Sequence, residues 1–577
     1  MSEQKTCKQC DQSFIIEEED LEFYNKISPT FNGEKYQIPV PTLCPNCRQQ
    51  RRLSFRNERN LYNRKCDLTG KQIISIYSPD KPYKVYDQEA WWSDKWDPLE
   101  YGKEFDFSRP FFDQFKELQV VVPRVSLTNT NSENSEYTNY TANNKNCYLI
   151  FSNSYGHNEN CYYGTCLSKS KNCVDSINIF DCELTFDCID CTNCYHLFSS
   201  RNCVGCSDSY FLSDCRQCNH CLACKGLRGK QYCILNEQYS KEEYEKKLAE
   251  SDLYTHAGYD KMLKIFNDFD KKTPHLFTRQ INCENCTGDY LQNSKDCLGC
   301  FDTNKSEHCK YLQYSVGDDN YCYDSSYLVD SEYCYENMSL VDCNHLLFTN
   351  LTWWGVSNSY YSDLCFNNSH DLFGCVGLKK KEYCILNKQY TKDEYEELVP
   401  KIIEHMKKGG EWGEFFPMSL SPFGYNETIA QEYFPLEKDD AEKRSAKWQD
   451  QDFSMKYDGP FYEPKDIKEY INNEEERKNI LAGILKCEVS GKPFKIVPGE
   501  LAFYIENEIP IPTKHSDVRH REQQKLRNPR KLYHRECMCE ETGHDHEGHC
   551  KNEFETTYAS DRPEKVYCET CYQKSIL

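Results

Sequence analysis

The chain contains no run of about 18 or more apolar residues, so a membrane-spanning helix is not expected. Its opening residues, MSEQKTCKQC, lack the charged-then-apolar form of a signal peptide. The expectation is a soluble, cytoplasmic protein with no membrane partner. Net positive charge is missing too: the formal net charge of -22 excludes a chain that coats nucleic acid over its whole surface and leaves room only for local contacts. Hydrophobic residues make up 38% and the mean hydropathy is -0.83, yet 43 tyrosines and 30 phenylalanines supply enough burial to exclude a disordered composition. With 577 residues the chain is too long for one core, and three to five units of about 100 to 200 residues are expected.

What the chain has in abundance is cysteine, 37 in all. Without an export signal, a reducing compartment disfavours disulfides, so close pairs read as metal sites and periodic cysteines as buried thiols. Disulfides and metal remain the alternatives for the periodic set. One column is Cys161, Cys182, Cys203 and Cys224, and a second is Cys173, Cys194 and Cys215. Both step by 21 residues and interleave as 12 and 9, with Asn160, Asn172, Asp181, Asn193, Asn202 and Asp214 each directly preceding a cysteine. A fixed period of this length predicts a parallel β-helix, a β-solenoid of about 21 to 22 residues per turn.

The sequence is also duplicated. Gly226-Leu-Arg-Gly-Lys-Gln-Tyr-Cys-Ile-Leu-Asn recurs as Gly377-Leu-Lys-Lys-Lys-Glu-Tyr-Cys-Ile-Leu-Asn, 151 residues on. In the second copy Cys322, Cys334 and Cys343 keep the steps, Cys365 falls one residue late and other columns are vacant. Such erosion suits packing better than catalysis.

The end segments are duplicated as well. Cys487-Glu-Val-Ser-Gly-Lys-Pro-Phe echoes Cys7-Lys-Gln-Cys-Asp-Gln-Ser-Phe, and Arg527-Asn-Pro-Arg-Lys-Leu-Tyr-His-Arg535 echoes Arg56-Asn-Glu-Arg-Asn-Leu-Tyr-Asn-Arg64. The expected fold is mainly β: a duplicated parallel β-helix flanked by N- and C-terminal zinc-ribbon or treble-clef-like modules, with helical inserts. The expected segments are a first module at 1–125, a first solenoid at 126–237 and a helical insert at 238–280, opened by a Ser240/Glu243 capping box. A second solenoid at 281–388, a helical and irregular region at 389–480 and a C-terminal module at 481–577 follow.

Cys7-x-x-Cys10 and Cys44-Pro-Asn-Cys47 place four thiolates on two tight turns, enough to close a tetrahedral Zn²⁺ site. In the C-terminal copy Ser490, His515 and Val518 replace Cys10, Cys44 and Cys47, so that site is lost. There the expected tetrad is Cys539, Cys550, Cys568 and Cys571, with Cys537 the alternative fourth member and His544, His546 and His549 able to substitute. Cys568 and Cys571 match Asp87 and Ala90 of the first module, so each module keeps one of two sites. About two structural Zn²⁺ ions are expected, with no catalytic residue assigned.

After each Cys47-equivalent position runs a basic strip with seven cations against one Glu, Arg48 to Lys65 and Arg519 to Arg535. Two readings stand open. Arg48, Arg51, Arg52, Arg56, Arg519, Arg521, Arg527 and Arg530 contact nucleic-acid phosphates, or they pair with the acidic remainder of the chain.

The Cys-Pro-x-Cys-Arg motif followed by Arg-Asn-x-Arg-x-Leu-Tyr resembles a group of uncharacterised bacterial cysteine-rich proteins with zinc-ribbon domains, over both terminal modules and much of the middle. The resemblance implies zinc at Cys7, Cys10, Cys44 and Cys47 and at the C-terminal cysteines, and it brings no assigned reaction.

Three functions fit these features. The first is a non-enzymatic zinc-stabilised scaffold or adaptor whose basic strips take a nucleic-acid or protein partner. The second is a thiol redox or metal-handling protein. The third is a carbohydrate-active enzyme using Asp181, Asp187 and Asp190, or Asp318 and Asp319, as paired acids.

Overall fold

The computed structural model describes residues 2–153 and 156–576. The chain is mixed α/β, with thirteen α-helices among the described residues and two large sheets of mostly parallel strands, seven-stranded and twelve-stranded. This corrects the expectation of a mainly β protein built on a duplicated β-helix of 21 to 22 residues per turn: neither sheet closes on itself, and pairing does not follow that period. Parallel partners lie 12 residues apart, Glu183 with Tyr195, Tyr195 with Ser207 and Ser207 with Asn219. The 21-residue step adds to that pairing interval a 9-residue hop, the distance at which Cys173 Sγ meets the Cys182 carbonyl (3.6 Å) and Cys194 Sγ the Cys203 carbonyl (3.6 Å). The cysteine spacing therefore mixes two different neighbours and measures neither.

The Asn and Asp residues before the cysteines have a backbone reason. Asn160, Asn172, Asp181, Asn193, Asn202 and Asp214 all take left-handed conformations, with φ between 50 and 57°. Asn and Asp tolerate that region better than other residues with a Cβ, so they mark where the chain bends between short strands. The cysteines that follow point inward: Cys161, Cys173, Cys203 and Cys215 are fully buried in one core with Leu167, Leu197 and Leu212.

The chain divides into two compact units that do not follow chain order. The first comprises Met1–Leu127, Thr278–Asp452 and Arg530–Leu532. It joins the N-terminal module to the twelve-stranded sheet. Pairing there also runs at 12 residues, Cys322 with Cys334, and then lengthens to 13 between Asn350 and Asp363, which is why Cys365 falls one residue late. The helix Lys392–Gly409 starts at a Thr391/Glu394 capping box and stops at left-handed Gly410.

The second unit comprises Thr128–Phe277, Phe453–Pro529 and Tyr533–Leu577, and joins the C-terminal module to the seven-stranded sheet. The Ser240/Glu243 capping box opens the helix Lys241–Glu250. Among the described residues no helix is long and apolar enough to cross a membrane.

In this second unit the helix Pro498–Glu506 buries Glu500 completely. The carboxylate accepts hydrogen bonds from the Tyr163 hydroxyl (2.8 Å), the Tyr504 hydroxyl (2.9 Å) and the Val497 N–H (3.1 Å). Burial nevertheless raises its pKa from 4.5 to about 7, against the pull of nearby Arg519. An acid whose folded pKa is raised binds more protons folded than unfolded, so its contribution is complete below about pH 4.5 and is lost as pH rises through about 7. The expected outcome is that the wild type loses roughly 3 kcal/mol over that window that a Glu500→Gln variant does not lose. Urea unfolding of both proteins across pH measures it, and parallel stability curves would remove Glu500 as the source.

Candidate metal centres and the buried arginine docks

The first centre is assembled from a hairpin and a helix start. Glu3–Thr6 pairs antiparallel with Ser13–Ile16, and the turn between them holds Cys7 and Cys10. Cys44 stands at the N-terminal boundary of the helix Pro45–Leu53, with Pro45 preset for its first position and Cys47 in its first turn. Sulfurs of Cys7, Cys10, Cys44 and Cys47 converge within 4.8 Å of one another, so the cluster could hold a metal ion. Cys10 and Cys44 Sγ are 3.7 Å apart, close to the ~3.8 Å edge of a tetrahedron with ~2.3 Å metal–sulfur bonds. Hydrogen bonding with Cys47 lowers the Cys44 pKa to about 5, and the same contact pushes Cys47 up.

The second centre repeats the plan. The antiparallel strands Tyr533–Glu536 and Glu553–Thr556 bring Cys537 and Cys550 together, while Cys568 directly precedes the helix Glu569–Ile576 and Cys571 lies in its first turn. Cys537, Cys550, Cys568 and Cys571 form the all-cysteine cluster, all buried. This corrects the expected tetrad, in which Cys539 stood in place of Cys537. The Cys568 N–H points at Cys537 Sγ (3.2 Å), tying that sulfur to the helix start. Cys539 instead converges with His544, His546 and Cys571.

The lost sites have taken on other contacts. The Cys66 sulfur accepts the Asp87 and Thr69 N–H groups at 3.3 and 3.4 Å, and the Cys487 sulfur accepts the Ser490 N–H at 3.4 Å. Neither belongs to a converging cluster among the described residues. His515, standing where the first module has Cys44, caps its helix by accepting the Asp517 N–H at Nδ1 (3.1 Å).

Of the two readings open for the basic strips, the arginine contacts follow internal pairing. Arg48, Arg51, Arg52 and Arg56 are buried within the first unit, Arg52 wholly so. Arg48 Nη2 lies 2.8 Å from Asp324, Arg51 bridges Glu336 (2.7 Å) and Glu414 (2.8 Å), and Arg52 reaches Glu336 at 3.4 Å. Arg56 pairs with Glu58 (2.6 Å) and lies 3.9 Å over the Tyr327 ring. Arg530 meets Asp302 at 2.8 Å in the same unit. Within the second unit Arg519 pairs with Asp175 (2.8 Å) and Arg527 with Asp190 (3.0 Å). Of the eight arginines assigned to phosphate contact, Arg521 is the exposed one. A guanidinium enclosed with its carboxylate is closed to a nucleic-acid backbone, so the strips serve internal pairing.

The two docks are copies. Arg48 aligns with Arg519, and their partners Asp324 and Asp175 occupy equivalent strand-array positions. Arg52 with Glu336 becomes Gln523 with Asp187, joined by a 2.7 Å amide-to-carboxylate hydrogen bond. Asp20, which aligns with Glu500, accepts the Lys310 ammonium at 2.7 Å.

The acids considered for catalysis are divided. Asp187 and Asp190 belong to the dock, and Asp181 is exposed. Asp318 and Asp319 line a cleft of about 630 Å³ with Glu307, Asp330, Glu332 and Asp342. Burial raises Asp319 to about 7, and its carboxylate accepts the Ser315 hydroxyl and the Ser331 N–H (2.8 Å).

No protein-family model matches the chain, and no curated protein matches it. Among solved structures, a Desulfovibrio desulfuricans G20 protein described as an acetyltransferase is similar at 8% identity over 42% of this chain and 70% of that one. Its TM-score is 0.08, and the likeness carries no argument.

Removing Arg48 leaves buried Asp324 with only the more distant Arg52 guanidinium at 3.6 Å, so Arg48→Ala is expected to cost about 3 kcal/mol. The Arg48→Ala/Asp324→Ala double variant is expected to recover part of that loss. Denaturant unfolding of the full cycle checks it, and strictly additive single losses would show that the pair is not coupled.

Proposed function

We propose that the protein is a non-enzymatic scaffold whose two terminal modules are stabilised by closed zinc sites. The observation that carries this reading is the donor set of the two four-cysteine clusters: four sulfurs each, seven of the eight buried, on a turn and a helix start. Structural zinc takes such closed tetrahedral sets, whereas catalytic zinc keeps a position for water. Were the ions bound, they would supply cross-links between hairpin and helix. Resemblance to the cysteine-rich zinc-ribbon proteins supports the same reading, and the internal pairing of the arginines leaves the strips little free charge for a nucleic-acid backbone. Thirty-seven cysteines with none in a disulfide suit a reducing compartment such as the cytoplasm.

The thiol-redox alternative requires accessible thiolates. All but four of the cysteines are buried, the four being Cys10, Cys166, Cys283 and Cys286, and Cys10 belongs to a metal cluster. Titration of the native, metal-loaded protein with a thiol reagent is therefore expected to find no more than Cys166, Cys283 and Cys286 reacting promptly. Cys44→Ser and Cys550→Ser are each expected to lose bound zinc and to lower thermal stability. Prompt reaction of most thiols, or full zinc retention in both variants, would overturn the scaffold reading.

A further inference from the structure

The loop between Cys539 and Cys550 carries histidines that the four-cysteine site does not use. We propose that it forms a second metal site, Cys539–His544–His546–Cys571, which shares the Cys571 thiolate with the Cys537–Cys550–Cys568–Cys571 site. The C-terminal module would then hold two zinc ions bridged by one sulfur. The proposal rests on the reading that the four-thiolate cluster holds zinc.

The donor atoms of all four residues lie within 4.8 Å of one another. His544 Nδ1 is 3.2 Å from Cys539 Sγ, and His546 Nε2 is 3.4 Å from Cys571 Sγ, near the ~3.6 Å nitrogen–sulfur edge of a tetrahedral site.

The far nitrogen of each imidazole is also engaged. His544 Nε2 faces the Glu541 carboxylate at 3.4 Å, and His546 Nδ1 donates to the Gly548 carbonyl at 2.8 Å. A metal-bound histidine has this arrangement, with an outer acceptor holding the proton away from the ligating nitrogen. The loop is braced to the helix by Lys574 with Asp545 (2.5 Å), and the Tyr567 hydroxyl donates to Glu541 (3.0 Å).

Charge favours the bridge. One Zn²⁺ with four thiolates is a buried dianion. Adding a second Zn²⁺, one more thiolate and two neutral imidazoles leaves a single negative charge over the pair, a smaller burden to bury. Loading releases the protons of the five thiols to solvent, and no electron changes hands.

The test is metal content of the native full chain purified with zinc. The expected result is three zinc per chain in the wild type, two in His544→Ala/His546→Ala, and three again in His544→Cys. Cobalt loading gives a second readout: two Co²⁺ ions sharing one sulfur couple magnetically, so the EPR intensity per cobalt is low in the wild type and rises in the double-histidine variant. Two zinc per chain in wild type and variant alike would overturn the bridged site and leave the four-thiolate reading intact. One or none in the wild type would overturn both. Uncoupled cobalt in a three-metal protein would overturn the shared thiolate.

Discussion

Burial of guanidinium groups against carboxylates is the constraint on which both units depend. Arg48 and Arg52 with Asp324 and Glu336 sit almost entirely out of water in the first unit, and Arg519 with Asp175 does the same work in the second. Taking such charges from water costs several kcal/mol per ion, and their attraction repays it only at close, well-directed geometry. A slip of one strand layer would strand a charge without its partner. The docks thus act more as registers than as sources of stability, selecting which layer of the strand array each helix meets.

The metal clusters and the docks work through the same short helices. Pro45–Leu53 carries Cys47 in its first turn and Arg48, Arg51 and Arg52 just beyond, so a metal that fixes the helix start also aims the guanidiniums. The copy Ser516–Gln524 has lost the cysteines, yet Arg519 still pairs. His515 supplies a cap to the helix start where the first module has Cys44, and Glu500 holds the neighbouring helix to Tyr163. The arginine pairing is present in both copies, whereas the four-cysteine cluster is present in only one of these two helix starts.

Local chemistry was legible in the sequence and distant pairing was not. The N-terminal four-cysteine set, three of the four C-terminal cysteines, the capping box at Ser240 and the duplication can all be read from short spacings. Arg48 and Asp324 are 276 residues apart, and Asp324 looks like any other turn acid until the arrays are assembled. The strand period was misread for a related reason: the cysteines report every inward corner, and a ruler that counts corners cannot say which of them pair. The choice between Cys537 and Cys539 rests on which sulfur converges with Cys550, Cys568 and Cys571, and that is Cys537.

The same physics separates the thiols that converge as a possible metal set from those that do not. In the metal clusters four sulfurs converge because a turn and a helix start meet at a point. In the strand arrays the core sulfurs face backbone carbonyls, as Cys161 faces Ser170 at 3.4 Å and Cys322 faces Ser331 at 3.4 Å. A thiol there fills a small apolar volume and donates one weak hydrogen bond. Other side chains meet that need, and in the second array Leu340, Leu346 and Leu372 occupy the buried core beside the remaining cysteines. Erosion of the ladder and persistence of the end clusters are therefore one result: volume can be replaced residue by residue, whereas a coordination geometry is kept or lost as a set.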